Sequence, residues 1–161
     1  MLQRKVLLVP YIRCGDKKTR LVVVQHAESL DWTFISGTCE PRERPDGCAI
    51  RELFEETLGA VSISRLPANT QKIRIISEGK RIDVYFIPVR KGSQLLEGFK
   101  ECEQLLAAEA GGANGVGMNE NADLKFLTYR QFLRKRIWTF VRNLIDVPIF
   151  QERLLGLKIS S

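Results

Sequence analysis

Between Gly37 and Ala60 the chain reads Gly-Thr-Cys-Glu-Pro-Arg-Glu-Arg-Pro-Asp-Gly-Cys-Ala-Ile-Arg-Glu-Leu-Phe-Glu-Glu-Thr-Leu-Gly-Ala. Residues 46–58 of this stretch predict a helix, with Asp46 as its cap and Gly59 placed to end it. At 100° per residue, Glu52, Glu55 and Glu56 fall within an arc of roughly 100° on one face. Ile50, Leu53, Phe54 and Thr57 fall opposite and suit packing on a sheet. Neighbouring carboxylates repel and weaken a helix, but clustered hard oxygens suit Mg2+ or Mn2+. Arg51, four residues before Glu55, is spaced to pair with it, and Glu43 precedes the helix within reach of the same cluster. Spacing alone also fits a solvated acidic face, since glutamates are common on exposed helices.

The stretch resembles the Nudix box, G-x5-E-x7-R-E-U-x-E-E-x-G-U, where U is a bulky aliphatic. Gly37, Glu43, Arg51-Glu52, Leu53 and Glu55-Glu56 all stand in register. There are two departures at its end: Leu58 stands where the final glycine is expected, with Gly59 one later, and Ala60 is smaller than the usual aliphatic. Thr38 also stands where many relatives carry a second glycine.

The resemblance implies a metal-dependent attack of water on a P–O–P linkage. Glu52, Glu55 and Glu56 would bind Mg2+ or Mn2+, and Glu52 would also be a candidate general base. Arg51 would orient the glutamates, Gly37 would let the loop backbone approach the substrate, and Glu43 would pair or assist. The family often uses a base on a loop beyond the box, for which Glu120 and Asp123 are the first candidates and Glu101 and Glu103 the next. Each of those four equally suits a solvated loop carboxylate.

The flanks read as strands: residues 3–13, 19–26, and Trp32 to Ile35 before the helix, with 71–78 and 81–89 after it as a hairpin turning at Gly79-Lys80. Leu95 to Ala110 has helical composition, and residues 111–117 form a glycine-rich loop. Residues 128–145 predict one further helix with Phe132, Ile137, Phe140, Val141 and Leu144 as its apolar stripe. These elements predict an α/β (α+β) fold, an α/β/α sandwich with a mixed sheet, in one domain over residues 1–161.

The net charge is +6 and the pI about 9.3, a balance that attracts polyanions without identifying one. Arg130, Arg134, Lys135, Arg136 and Arg142 lie in the 128–145 segment with Phe132, Trp138 and Phe140 between them. That pattern suits an RNA track, and equally a solvated basic face over core aromatics. An RNA track would make capped RNA the substrate, with Arg134 and Lys135 as contacts. Without one, a small nucleotide is the substrate, either a non-standard nucleoside triphosphate or a dinucleoside polyphosphate. Trp32, Tyr11, Phe34 and Tyr85 are candidates for base stacking, although core packing explains Phe34 and Tyr85 equally well. His26 reads as a polar residue at a strand end. A reading of another class is a catalytically silent RNA- or nucleotide-binding module, which the three retained glutamates disfavour.

No apolar run approaches the ~20 residues that span a bilayer, and Pro10 and Arg13 interrupt the most apolar one near the start. A cytoplasmic protein without membrane contact is expected. Cys14, Cys39, Cys48 and Cys102 form no C-x-x-C pair and read as four reduced thiols. Dimers are frequent among the relatives, and nothing here forces one.

Overall fold

The computed structural model describes residues 2–13, 18–57, 63–89 and 124–157. The elements in chain order are β1 (Gln3–Arg13), β2 (Thr19–Gln25), β3 (Trp32–Thr33), β4 (Ile35–Thr38), α1 (Pro45–Glu56), β5 (Gln71–Ser77), β6 (Lys80–Val89), β7 (Leu124–Leu127), α2 (Tyr129–Leu133), α3 (Thr139–Ile145) and α4 (Pro148–Gly156). The expected segments 95–110 and 111–117 lie outside the described residues, as do Leu58, Gly59, Ala60, Cys14 and Cys102.

Seven strands form one mixed sheet in the order β3-β2-β1-β6-β5, with β4 pairing β1 and β7 pairing β2. The β1–β6 pair is parallel and the other pairs are antiparallel. Val6 to Ile12 are buried on both faces, as a central strand covered on each side requires. Their alternation sorts them. Val6, Leu8 and Ile12 join Cys48, Ala49 and Leu53 of α1. Leu7, Val9 and Tyr11 join Phe132, Val141 and Phe150 from α2, α3 and α4. The sheet is therefore sandwiched between helices, as the sequence predicts.

Pro10 survives in this central strand for a local reason. The Arg4 carbonyl accepts from Cys39 N–H, so even-numbered residues of β1 turn their polar groups toward β4 and β2. Pro10 falls between the β4-paired stretch, Lys5 to Leu8, and the β2-paired stretch, Tyr11 to Arg13. No ladder bond is lost there for want of its N–H.

The predicted helix 128–145 is corrected. Thr128 caps α2 through a capping box with Gln131, but the helix stops after Leu133. Trp32 N–H donates to the Arg136 carbonyl and Trp138 N–H to the Trp32 carbonyl, and Ile137 bridges Trp32 in parallel. The chain takes strand-like bonds with β3 before turning into α3. The strand Leu124–Leu127 and the helix Pro148–Gly156, with proline in its first turn, were not among the predicted elements. No helix among the described residues is long and apolar enough to cross a membrane.

Candidate functional site

The predicted helix starts one residue earlier than 46 and ends at Glu56. Pro45 stands in its first turn and Arg44 is the N-cap, so Asp46 is not the cap. Instead the Tyr85 hydroxyl donates to Asp46 at 2.6 Å, which ties the start of α1 to β6. The buried line of α1 is Cys48, Ala49, Glu52 and Leu53. Phe54, expected against the sheet, is 53% exposed, while Glu52 is only 6% exposed.

A buried glutamate requires room and partners. Room comes from Gly37 at the end of β4, where a Cβ would lie 1.9 Å from Glu52 Cδ. The partner is Arg51. Its Nε and Nη2 each donate to Glu43 at 2.8 Å, a bidentate pair. Its Nη1 donates to Glu52 at 3.0 Å and to Glu55 at 3.1 Å, and Nη2 also reaches the Thr38 carbonyl at 3.3 Å. One guanidinium thus holds three carboxylates and the end of β4.

The loop before α1 is fixed from three directions. Arg4 donates to the carbonyls of Glu43, Glu40 and Pro41. Glu40 N–H donates to Glu43 at 3.1 Å. Cys39 and Cys48 form a disulfide across nine positions, which corrects the expectation of reduced thiols for this pair. Closing a loop of this length contributes on the order of 2–3 kcal/mol by chain entropy. Reduction with a phosphine is expected to lower the melting temperature of the wild type and leave a Cys48→Ser variant unmoved. An unchanged melt would mean that Arg4 and Arg51 hold the loop by themselves.

The electrostatics follow from these contacts. The Arg51 hydrogen bonds hold the Glu43 carboxyl down at about 2, against some loss of water, and the same bonds raise Arg51. Burial pushes Glu52 up; Arg51 opposes this, while Glu55 and Glu56 add to it. Glu56 moves the same way through partial loss of water, with His26 opposing and Glu55 reinforcing. Lys5 is lowered by burial and then by Lys80, with Glu52 opposing.

These carboxylates fit a hard divalent cation. The face of α1 presents the carboxylates of Glu52, Glu55 and Glu56, and among the described residues no side chain separates Glu52 from the Gly37 backbone. Among the described residues, the one trio of potential ligands with donor atoms within 4.8 Å of one another is Cys39, Glu43 and Cys48, and there the sulfurs are bonded to each other. The glutamates of α1 share a face more loosely, with Arg51 engaging an oxygen of Glu52 and one of Glu55.

Of the other predicted residues, Trp32 is buried, and Lys125 and Lys135 stand over its ring at 5.2 and 5.6 Å. Arg134 is exposed at the C-terminal end of α2. Tyr11, Phe34 and Tyr85 are buried in the core, which leaves them no free face for a base. Glu120, Asp123, Glu101 and Glu103 lie outside the described residues. His26, read as a strand-end residue, follows β2 directly, packs edge-on against Trp138 at 5.3 Å and feels the charge of Glu56. The brace from Arg4 and the position of Lys5 were not foreseen, because nothing in their spacing marks them.

The chain matches the NUDIX domain family over residues 2–146. A comparison with curated protein sequences finds no match. Among solved structures it is similar to the C-terminal domain of mouse MUTYH, solved in complex with human PCNA, at 15% identity and a TM-score of 0.57, covering 95% of this chain and 91% of that one. It is similar to a candidate NUDIX hydrolase from Listeria monocytogenes at 15% identity and a TM-score of 0.57, covering 97% and 94%. It is also similar to a C. elegans Ap4A hydrolase at 16% identity and a TM-score of 0.52, covering 99% and 97%. At these identities the likeness is one of fold.

Proposed function

This chain belongs to the NUDIX domain family and is a hydrolase of phosphorus-containing acid anhydrides, and from that premise we propose that residues 1–161 act as one domain that cleaves a diphosphate linkage in a small nucleotide with Mg2+ or Mn2+. The observation that carries this reading is the Arg51 brace: one guanidinium fixes Glu43, Glu52 and Glu55 beside a glycine strand end. Glu52, Glu55 and Glu56 would hold the cation, which offsets phosphate charge and lowers the pKa of water when bound.

The rest falls to the chain itself. Gly37 leaves room at the end of β4 for the Glu52 carboxylate. A water oxygen bonds to phosphorus, the bridging P–O bond breaks, and the water proton passes to a base. Glu52 is the first base candidate, since a carboxylate raised by burial accepts a proton more readily. Glu120 is the second.

A small nucleotide, either a nucleoside triphosphate or a dinucleoside polyphosphate, takes precedence over capped RNA. An RNA track needs a continuous basic face, and the basic run is divided among α2, the connection after it and α3. Within it Arg136 is engaged by Asp31 and the Ser29 carbonyl, and Lys135 sits over Trp32. The resemblance to an Ap4A hydrolase agrees with a dinucleoside polyphosphate.

The test is hydrolysis of a panel of nucleoside triphosphates, dinucleoside polyphosphates and cap-labelled RNA, with Mg2+, Mn2+ or chelator, read by chromatography. Turnover of a small nucleotide is expected with metal, none with chelator, and a loss on the order of 100-fold or more in Glu56→Gln. Faster release from capped RNA than from any small nucleotide would restore the RNA reading. Silence across the whole panel would bring forward a binding module.

A further inference from the structure

Lys5, Lys80, Trp138 and Phe140 form a group to which the hydrolytic machinery assigns no role. Lys5 lies on the face of β1 that carries α2, α3 and α4, and Lys80 opens β6. Trp138 precedes α3 and Phe140 lies in its first turn, their ring centroids 5.1 Å apart. Lys5 Nζ stands 5.9 Å from the Trp138 centroid and 5.6 Å from that of Phe140. Lys80 Nζ stands 5.3 Å from the Phe140 centroid. Two ammonium groups therefore converge on one ring. Among the described residues neither has a carboxylate within 4 Å.

Cation–π contacts at partly exposed rings are individually weak, and like charges gathered over one ring work against them. The arrangement has unmet affinity for an anion, which an apolar floor strengthens by lowering the local dielectric. The group is also coupled by charge to the glutamates. Lys5 feels the charge of Glu52, and His26 joins Glu56 electrostatically while its ring packs against Trp138. An anion held by the lysines would lie within electrostatic range of the α1 glutamates.

Resting on the proposed hydrolysis, we propose that Lys5 and Lys80, seated over Trp138 and Phe140, bind a further phosphate of the substrate, so that chains of three or more phosphates are preferred to a simple diphosphate. Lysine meets phosphate as a point charge and needs no bidentate geometry. The two lysines come from parallel neighbouring strands whose register sets Lys5 opposite Ile82 and Gln3 opposite Lys80. Their spacing is thus fixed by the sheet and does not depend on a loop.

The test separates binding from turnover. Inorganic tripolyphosphate is titrated calorimetrically in chelator into the wild type, Lys5→Gln, Lys80→Gln and the two arginine variants. Each glutamine variant is expected to weaken binding by about 10- to 100-fold, and each arginine variant to keep most of it. With metal, the same glutamine variants are expected to raise KM for a nucleoside triphosphate by a similar factor, to keep kcat within a few-fold, and to leave KM for a nucleoside diphosphate sugar unmoved. Wild-type affinity for tripolyphosphate in both glutamine variants would overturn the proposal, as would an equal KM rise on the diphosphate sugar. Lysine-dependent binding without turnover would keep the subsite and remove the hydrolase reading, while turnover with lysine-independent binding would do the reverse. Lys80→Gln, at the first residue of β6, carries the test if Lys5→Gln fails to fold.

Discussion

Gly37→Ala is expected to lower kcat by roughly 100-fold or more while the sheet stays folded. The new methyl would lie 1.9 Å from Glu52 Cδ and 2.1 Å from Glu52 Oε2, so one of the two must move. Gly37 is paired with Val6 on β1, and its φ is not positive, so the backbone itself accepts alanine. The strand is held by its ladder, so the glutamate yields. Once displaced, Glu52 gives up the 3.0 Å bond from Arg51 and the position from which it would hold a cation or accept a proton. A misplacement of about 1 Å at reacting groups costs about 100-fold in rate, whereas overpacking at a strand end costs about 1–3 kcal/mol of stability. Gly47→Ala is the control: a Cβ there meets nothing within 4 Å, and alanine is the better helix former by about 0.5–1 kcal/mol. Steady-state kinetics and thermal melts on both variants decide the matter. Unchanged kcat in Gly37→Ala would mean that the position of Glu52 is not what the chemistry needs.

The same pair of residues shows where sequence reading succeeds and where it stops. The carboxylate spacing, the Arg51–Glu55 pairing and the β1 and β6 strands follow from local periodicity, and periodicity is a local property. The burial of Glu52 and the exposure of Phe54 reverse what a helical wheel expects, because the deciding partner is a glycine 15 positions earlier that leaves a cavity the size of a carboxylate. The break between α2 and α3 carries no glycine or proline. It arises from backbone bonds to Trp32, more than 100 positions earlier in sequence, and no window over 128–145 contains that competitor. Arg4 reads as one more surface cation until β1 lies beside the loop whose three carbonyls it holds. The Cys39–Cys48 bond likewise depends on that loop folding back over α1. Features set by spacing were legible, and features set by long-range approach were not.

Arg51→Met should cost about 2 kcal/mol of stability at neutral pH and most of the activity. Removing one partner of a buried ion pair costs about 3–5 kcal/mol. The figure is discounted here because the Arg51 side chain keeps 31% of its surface, while Glu43 keeps 18% and Glu52 8%. Lysine is a poor substitute, since a single ammonium cannot serve Glu43 bidentately and still reach Glu52 and Glu55. The loss should depend on pH with a definite sign. Glu43 titrates near 2 in the folded chain because Arg51 bonds its charged form, below the ordinary carboxylate value. Its contribution to stability is therefore complete above that ordinary value and disappears as pH falls toward 2. Denaturant titrations of wild type and Arg51→Met should differ most at pH 7 and converge between about pH 4 and pH 2. Glu52 works in the opposite direction: it is already raised by burial, Glu55 and Glu56, and it loses in Arg51→Met the guanidinium that opposes them. Its proton affinity should rise, so whatever activity the variant keeps should need a higher pH. Equal stability of the two proteins at pH 7, with the activity still lost, would mean that desolvation offsets the guanidinium bonds and that Arg51 serves geometry alone. Equal activity would remove Arg51 from the site altogether.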